Sequence, residues 1–378
     1  MADSRQRGWR RSKRAKADAP AAPPADSPAA DPPSADPPAV DPSADPPAAR
    51  VARADGPPDL ADPSPVPLAR ALVVREAPHR RIARRALASG VATRVRRLVP
   101  TRRGAAREVP AVGHTGHDPV DPEARLDADG RPILDVLTLN LAHGRSTGFH
   151  QAFLRAATIR RNLDAVAALL SRERPDIVAF QEADGPSAWS GRFDHVDYLA
   201  CAAGFSHHLR GTHMAAPRTR YGTAIAARLP LADPLSVTFA PSPPTFSKGF
   251  VVSTVLHPAL PDVPIDVVSV HLDFARPVVR RRQVETLIET LRGRDRLMVV
   301  LGDFNTRWDA REHTLRRLAA ALELEAHAPD EPLVTFPFHG TRLDWIFASR
   351  PIRFVDHRVL PDEVSDHRAV FARIRLPK

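Results

Sequence analysis

Proline decides which part of this chain can build a fold. Sixteen of its forty prolines fall before residue 68. Proline fixes φ and removes an amide donor, so a segment this rich in it cannot sustain helix or sheet ladders. Residues 17–67, in which ADPPS and ADPPA recur around Asp31, Asp36 and Asp45, read as an extended, polyproline-II-like, mildly acidic tether. Ahead of it, residues 1–16 form a basic head with seven Arg/Lys and one acid, Asp3. Residues 1–69 are therefore expected to be disordered.

From Arg70 to Arg107 there are twelve arginines and a single acid, Glu76. Ile82, Ala86, Leu87, Val91, Val95 and Leu98 recur there at roughly helical spacing, so residues 70–131 read as an Arg-rich segment, partly helical or disordered. Such a basic amphipathic stretch suits an anionic membrane or nucleic acid, and so does Trp9 among Arg7, Arg10 and Arg11. It equally suits a solvated helix with no fixed partner. Of the 54 basic residues only Lys13, Lys16, Lys248 and Lys378 are lysine, a bias toward arginine under which an Arg cluster need not be functional.

Cys201 stands alone, which excludes an intrachain disulfide and a cysteine-based metal site. The basic head is followed by no apolar h-region, and no apolar run reaches bilayer-spanning length. The expected location is cytoplasmic, with membrane or nucleic-acid association through the Arg-rich region.

The folded part is expected from about Pro132 to the C-terminus, long enough for one large core. Strands are predicted at Ile133–Leu141, Asp176–Gln181, Ile265–Leu272, Leu297–Leu301, Leu343–Ala348, Phe354–Val359 and Ala369–Ile374, with others through Phe205, Ala224, Val237 and Val252. Helices are predicted near 149–172, 194–203, 277–292 and 310–324. Leu163, Val166, Ala167 and Leu170 line one face of the first, and Val284, Leu287, Ile288 and Leu291 one face of the third. Strand runs interrupted by a few helices indicate an α/β fold, a two-sheet sandwich with helices outside.

Six of these apolar strands carry polar groups at their margins. LTLNLAHG delivers Asn140, IVAFQEADG delivers Gln181 and Glu182, VVSVHLDF delivers His271, and MVVLGDFNT delivers Asp303 and Asn305. RLDWIFAS carries Asp344 among apolar neighbours, where a buried carboxylate needs a partner. SDHRAV places Asp366 and His367 before the closing strand. Gly, Asp and Asn also mark plain turns, but the repetition favours a site. Of the three Asp-His pairs, 194–195 falls in a helix-like segment and 356–357 inside a strand where neighbours face opposite ways. Only Asp366 and His367 sit in a loop from which both can converge. A set of oxygen and imidazole donors without cysteine suits Mg²⁺ or Mn²⁺.

Taken in order, LNLAHG, FQEAD, YGTAIAARLP, VHLD, LGDFNT, RLDWIFAS and SDHRAV resemble the endonuclease/exonuclease/phosphatase superfamily, over about Ile133 to Leu376. The resemblance implies a four-layered α/β sandwich of two mainly antiparallel sheets flanked by helices, and hydrolysis of phosphate esters with a divalent metal. By position, Asn140 and Glu182 resemble the metal-end residues, Glu182 being the principal carboxylate. Asp366 resembles a further metal-side or outlying carboxylate. Asp303 resembles the group that activates water, and Asn305 its partner. Asp344 resembles the acid that pairs with His367, and His271 the second histidine of the nuclease, sphingomyelinase and 5-phosphatase branches. Thr223 departs from the pattern, standing where many relatives carry Asn. Lys248 reads either as a contact to substrate phosphate or as a solvated lysine guarding a strand edge.

Substrate class stays open at this level. The net charge of +10 favours nucleic acid, an Arg-rich amphipathic segment favours a phospholipid head group, and a phosphorylated metabolite fits as well. The alternative to an enzyme is a non-catalytic basic adaptor that binds nucleic acid or an anionic membrane.

Overall fold

The computed structural model describes residues 105–118, 125–148, 154–216 and 218–377, all within the unit Val74–Lys378. The basic head, the proline-rich tether and the expected Arg-rich helix lie outside the described residues. No described helix is long and apolar enough to cross a membrane.

Two mixed sheets make the middle of the fold. The first runs in the order β1 (Ala106–Glu108), β8 (Ala232–Thr238), β9 (Gly249–His257), β10 (Leu260–His271), β11 (Leu297–Asp303), β13 (Asp344–Ser349), β12 (Leu324–Ala326). The second runs β14 (Arg353–Val359), β15 (Val370–Arg375), β3 (Ile133–Asn140), β4 (Ile177–Asp184), β7 (Thr219–Ala227), β5 (His207–Arg210), β2 (Val112–His114), and β6 (Met214–Ala216) also pairs with β7. Each sheet holds one parallel pair, β10–β11 and β3–β4, and is otherwise antiparallel. A parallel pair needs a long crossover. Helix α1 (Ala156–Glu173) supplies it between β3 and β4, and α3 (Pro277–Arg292) between β10 and β11. Helices α2 (His195–Ala203) and α4 (Thr314–Leu322) complete the outer layers.

Alternation along the strands splits the apolar residues into three packed layers. Leu134, Val136, Ile177, Val267, Val299, Leu301 and Ile346 pack between the sheets. Leu137 and Leu139 turn the other way onto Leu163, Val166 and Leu170 of α1 and Val196 and Leu199 of α2. Val268 and Val300 pack on Val284, Leu287 and Leu291 of α3 and on Leu315 and Leu318 of α4. The predicted apolar faces of α1 and α3 are the buried ones.

Some boundaries differ from the sequence reading. Helix α4 is shorter than 310–324 because His313 and Glu323, at its two ends, both adopt left-handed φ, and Leu324 already opens β12. Phe205 is a buried core residue just ahead of β5. The sheets also reach upstream of Pro132: β1 pairs with β8, and β2 with β5. Each is three residues long, too short to show a period of two in the sequence.

Candidate active site

Between the sheets the core becomes polar toward one end. Continuing inward-facing rows of apolar residues, Thr138, Gln181 and Ser269 meet across the gap. Gln181 Nε2 donates to Thr138 Oγ1 and to Ser269 Oγ, each at 3.2 Å. Two residues further along β3 and β10 the same faces carry Asn140 and His271, Asp303 follows Leu301 in the same way on β11, and Asp344 sits opposite Asp303 in the β11–β13 ladder. In the β10–β11 ladder His271 is the partner of Asp303. The site is the polar end of the inter-sheet core, which is why it requires strand ends from both sheets.

Asp303 is its centre. Its Oδ2 accepts from Asn140 Nδ2 at 3.0 Å and from Asn305 Nδ2 at 3.1 Å, and its Oδ1 from the Asn305 amide at 2.9 Å. His271 Nε2 lies 3.4 Å from Oδ2 and His367 Nε2 lies 3.9 Å from it. Phe304 turns the opposite way into the core, as the alternation predicts. Burial, and the nearby charge of Asp344, push the Asp303 carboxyl up to about 7 against the pull of His367.

His367 Nδ1 lies 2.8 Å from Asp344 Oδ2. Because an ionised carboxylate only accepts, that nitrogen carries a proton and Nε2 faces Asp303. Burial disfavours charge on this ring, yet Asp344 and Asp303 outweigh it and raise His367 to about 10, so it is an imidazolium at neutral pH. Its loop is moored by Ser365 Oγ, which donates to the Asn140 carbonyl at 2.6 Å. His271 goes the opposite way: burial and the ammonium of Lys248 hold it neutral, well below the usual imidazole range.

Glu182 reaches the cleft by a backbone irregularity. The β4–β7 ladder slips between Phe180 and Ala183, and Glu182 adopts φ 48°. Without that bulge the residue after Gln181 would face the helix layer. Lys248 Nζ lies 3.5 Å from Glu182 Oε1 and 3.1 Å from His271 Nε2. Lys248 is 7% exposed, so the reading of a solvated edge lysine is corrected. The ion pair with Glu182 offsets the cost of desolvating its ammonium. The cationic surroundings of Glu182 (His143, Lys248 and Arg145) overcome its burial and hold its carboxyl far below the usual range.

These groups open onto a cleft of about 550 Å³ lined by Asn140, Glu182, Lys248, His271, Asp303, Asn305, Asp366 and His367. Asp344 backs the site from behind His367, fully buried, with Oδ1 unpartnered among the described residues. Asp366 pairs with Arg145, its Oδ2 2.5 Å from the guanidinium. Thr223 is not at the cleft; its hydroxyl meets His213 Nε2 at 2.8 Å.

Sequence reasoning missed Arg145, which lines the cleft, and His143, whose Nε2 lies 3.3 Å from Glu182 Oε2 and whose Nδ1 lies 2.7 Å from Asp184 Oδ1. The signal was present in LAHGR, directly after Asn140, but a turn following a strand was read only as far as its first polar residue.

The donor chemistry fits a hard divalent ion at the Glu182 end, where Glu182, Asn140 and Asp366 offer oxygen to one cleft. Among the described residues Asp303, Asp344 and His367 also bring ligand-type atoms within 4.8 Å of one another. There, however, His367 Nδ1 and Asp344 Oδ2 are spent on each other. That trio is better suited to holding protons than an ion.

A family model described as Endonuclease/Exonuclease/phosphatase family matches residues 137–367. No curated protein matches the chain. Among solved structures, the endonuclease/exonuclease/phosphatase from Beutenbergia cavernae DSM 12333 is 21% identical. It has a TM-score of 0.52, over 65% of this chain and 72% of that one. A functionally unknown conserved protein from Enterococcus faecalis V583 is 16% identical, with a TM-score of 0.52 over 64% and 99%. ANGEL2, described as a 2',3'-cyclic phosphatase in complex with adenosine-2',3'-vanadate, is 14% identical, with a TM-score of 0.52 over 71% and 99%. At these identities the likeness is one of fold.

Proposed function

Because the chain belongs to the endonuclease/exonuclease/phosphatase family, we propose that it hydrolyses phosphate esters by in-line attack of water, with a divalent ion at Glu182. The observation that carries this reading is Asp303. One buried carboxylate is oriented by two side-chain amides and faced by two histidines of opposite protonation.

Asp303 holds the attacking water and takes its proton. Asn140 and Asn305 stop the carboxylate from rotating, so the water is held in one direction; such positioning supplies much of the acceleration for a weak nucleophile. His367, kept charged by Asp344, donates to the oxygens on which negative charge develops. Lys248 adds a second fixed cation. Neutral His271 keeps its ring between Lys248 and Asp303, where it orients the ester, and the charged ring of His367 has the proton that the leaving oxygen takes up. Mg²⁺ or Mn²⁺, held by Glu182 with Asn140 and Asp366, would withdraw charge from the phosphoryl oxygens when bound. The substrate is a nucleic acid, a phospholipid head group or a phosphorylated metabolite. The Arg-rich N-terminal region provides the contact with anionic membrane or nucleic acid, and the setting is cytoplasmic.

The test is hydrolysis by the full chain, with Mg²⁺, Mn²⁺ or chelator, of plasmid and abasic DNA, sphingomyelin, phosphatidylinositol phosphates and a chromogenic diester. Turnover that is lost with chelator and in Asp303→Ala supports the reading. Silence across the panel, with DNA or vesicle binding retained, replaces it with a basic binding protein.

A further inference from the structure

The turn after β3 holds a side chain that the chemistry above does not use. Ala142 and His143 both adopt left-handed φ, 46° and 56°. Such backbone costs on the order of 1–3 kcal/mol per non-glycine residue and persists only where its surroundings enforce it. Here the Ala142 amide donates to Asn140 Oδ1 at 3.0 Å, which ties the turn to the site. The effect is to bring the His143 ring over the bulge in β4. The ring is then fixed on three sides. Tyr221 stands edge-on at 4.7 Å between centroids, Trp189 lies at 5.7 Å, and Asp184 Oδ1 sits 2.7 Å from Nδ1.

Asp184 settles the tautomer, because its carboxylate only accepts and Nδ1 must donate. The lone pair of the neutral ring is therefore on Nε2, and it faces Glu182 Oε2 at 3.3 Å. Two such atoms facing one another across that gap can share one cation. In the free protein a second proton on the ring fills that place. A metal ion fills it as well: with bonds of about 2.1 Å, neighbouring ligand atoms on one ion stand about 3.0–3.4 Å apart. A histidine whose outer nitrogen donates to a carboxylate while the inner one faces a metal site is the usual way of orienting an imidazole ligand.

We infer that His143 Nε2 binds the divalent ion beside Glu182, oriented by Asp184, and that the site therefore selects a first-row transition ion such as Mn²⁺ or Co²⁺ over Mg²⁺. Imidazole suits these ions, whereas Mg²⁺ takes oxygen. The inference rests on the metal reading of Glu182 proposed above, and it adds a nitrogen ligand and an ion preference to it.

The test is spectroscopic and independent of turnover. Mn²⁺ is bound to the full chain and its electron spin-echo envelope is recorded for nitrogen coupling, with Mn²⁺ and Mg²⁺ affinities measured by calorimetry. The wild type should show imidazole nitrogen coupling and bind Mn²⁺ more tightly than Mg²⁺. In His143→Gln the coupling should vanish, and Mn²⁺ affinity should fall by roughly 10–100-fold, the range seen when the ligand environment of a metal is damaged. Asp184→Asn retains the imidazole but loosens it, so coupling should persist with weaker binding. Absence of nitrogen coupling in the wild type overturns the inference by itself, so the inference stays open to refutation even where a variant fails to fold. Bound Mn²⁺ without nitrogen coupling, or coupling that survives His143→Gln, overturns the inference and leaves the Glu182 reading standing. Equal Mn²⁺ binding by wild type and Glu182→Gln overturns that reading itself.

Discussion

In the sheet that contains β10, β11 and β13, His271, Asp303 and Asp344 come to the site on unbroken ladders, each the direct cross-strand partner of the next, with Asp344 behind the cleft. In the sheet that contains β3 and β4, Asn140 ends a regular ladder, but the groups beside it reach the cleft through departures from the ladder. Glu182 sits on a bulge, and Ala142 and His143 lie in a left-handed turn. The regular side presents the groups that hold protons at fixed spacing. The irregular side presents the groups suited to an ion, whose ligands must converge on one point from several directions. A pleated strand offers only two facings, so convergence requires that the strand be broken.

The largest effect should come from the regular side. Asp303→Asn keeps shape and removes the base, and should lower turnover by about 10³-fold. A loss under tenfold, measured with the metal saturating, would show that the ladder does not carry the acid–base chemistry. On the irregular side, Glu182→Gln should weaken the apparent metal affinity by at least roughly 10-fold. An unchanged metal titration would remove the distinction between the two sheets.

The pH profile separates them further. Asp303, raised to about 7, acts as base above that value, and His367, raised to about 10, stays charged below it, so the rate should climb through about pH 7 and fall through about pH 10. Asp344→Asn withdraws the carboxylate that holds the ring charged, and should move the upper limb down by roughly a unit or more. An upper limb that does not move would mean that another group sets it. The smallest effect concerns stability. Gly302 has φ 148°, and a Cβ there would stand 2.0 Å from the Val270 carbonyl. Gly302→Ala should lower thermal stability by about 1–3 kcal/mol, and an unchanged melting temperature would show that β10 and β11 can part.

This contrast also explains what could be read in the sequence. Strand alternation is visible in MVVLGDFNT and RLDWIFAS, so Asp303 and Asn305 could be set on one side of the chain and Asp344 marked as a buried acid in need of a partner. The buried faces of α1 and α3 were legible in the same way. That Asp344 lies across from Asp303 is a matter of strand pairing, which alternation does not encode. No residue in FQEADG announces a bulge, and His143 looks like any histidine in a turn; its meeting with Glu182 and Asp184 depends on left-handed backbone that no side-chain pattern encodes. The solvated reading of Lys248 fails for a related reason. Its partners, Glu182 and His271, come from two different sheets, and sequence separation hides such a pairing. The two short strands ahead of Pro132 were hidden by their length alone.

The two-residue spacing of the inward rows sets a parity rule for how this protein can change. Removing one residue within β11 would carry Asp303 to the helix side and bring its neighbour to the cleft, and the same holds for His271 on β10. Removing two would keep the facing and shift the site by one rung along the sandwich. The loops beyond the strand ends obey no such arithmetic. Variation in length should therefore accumulate in those loops, so that relatives can reshape the mouth of the cleft freely while its floor is passed on unchanged.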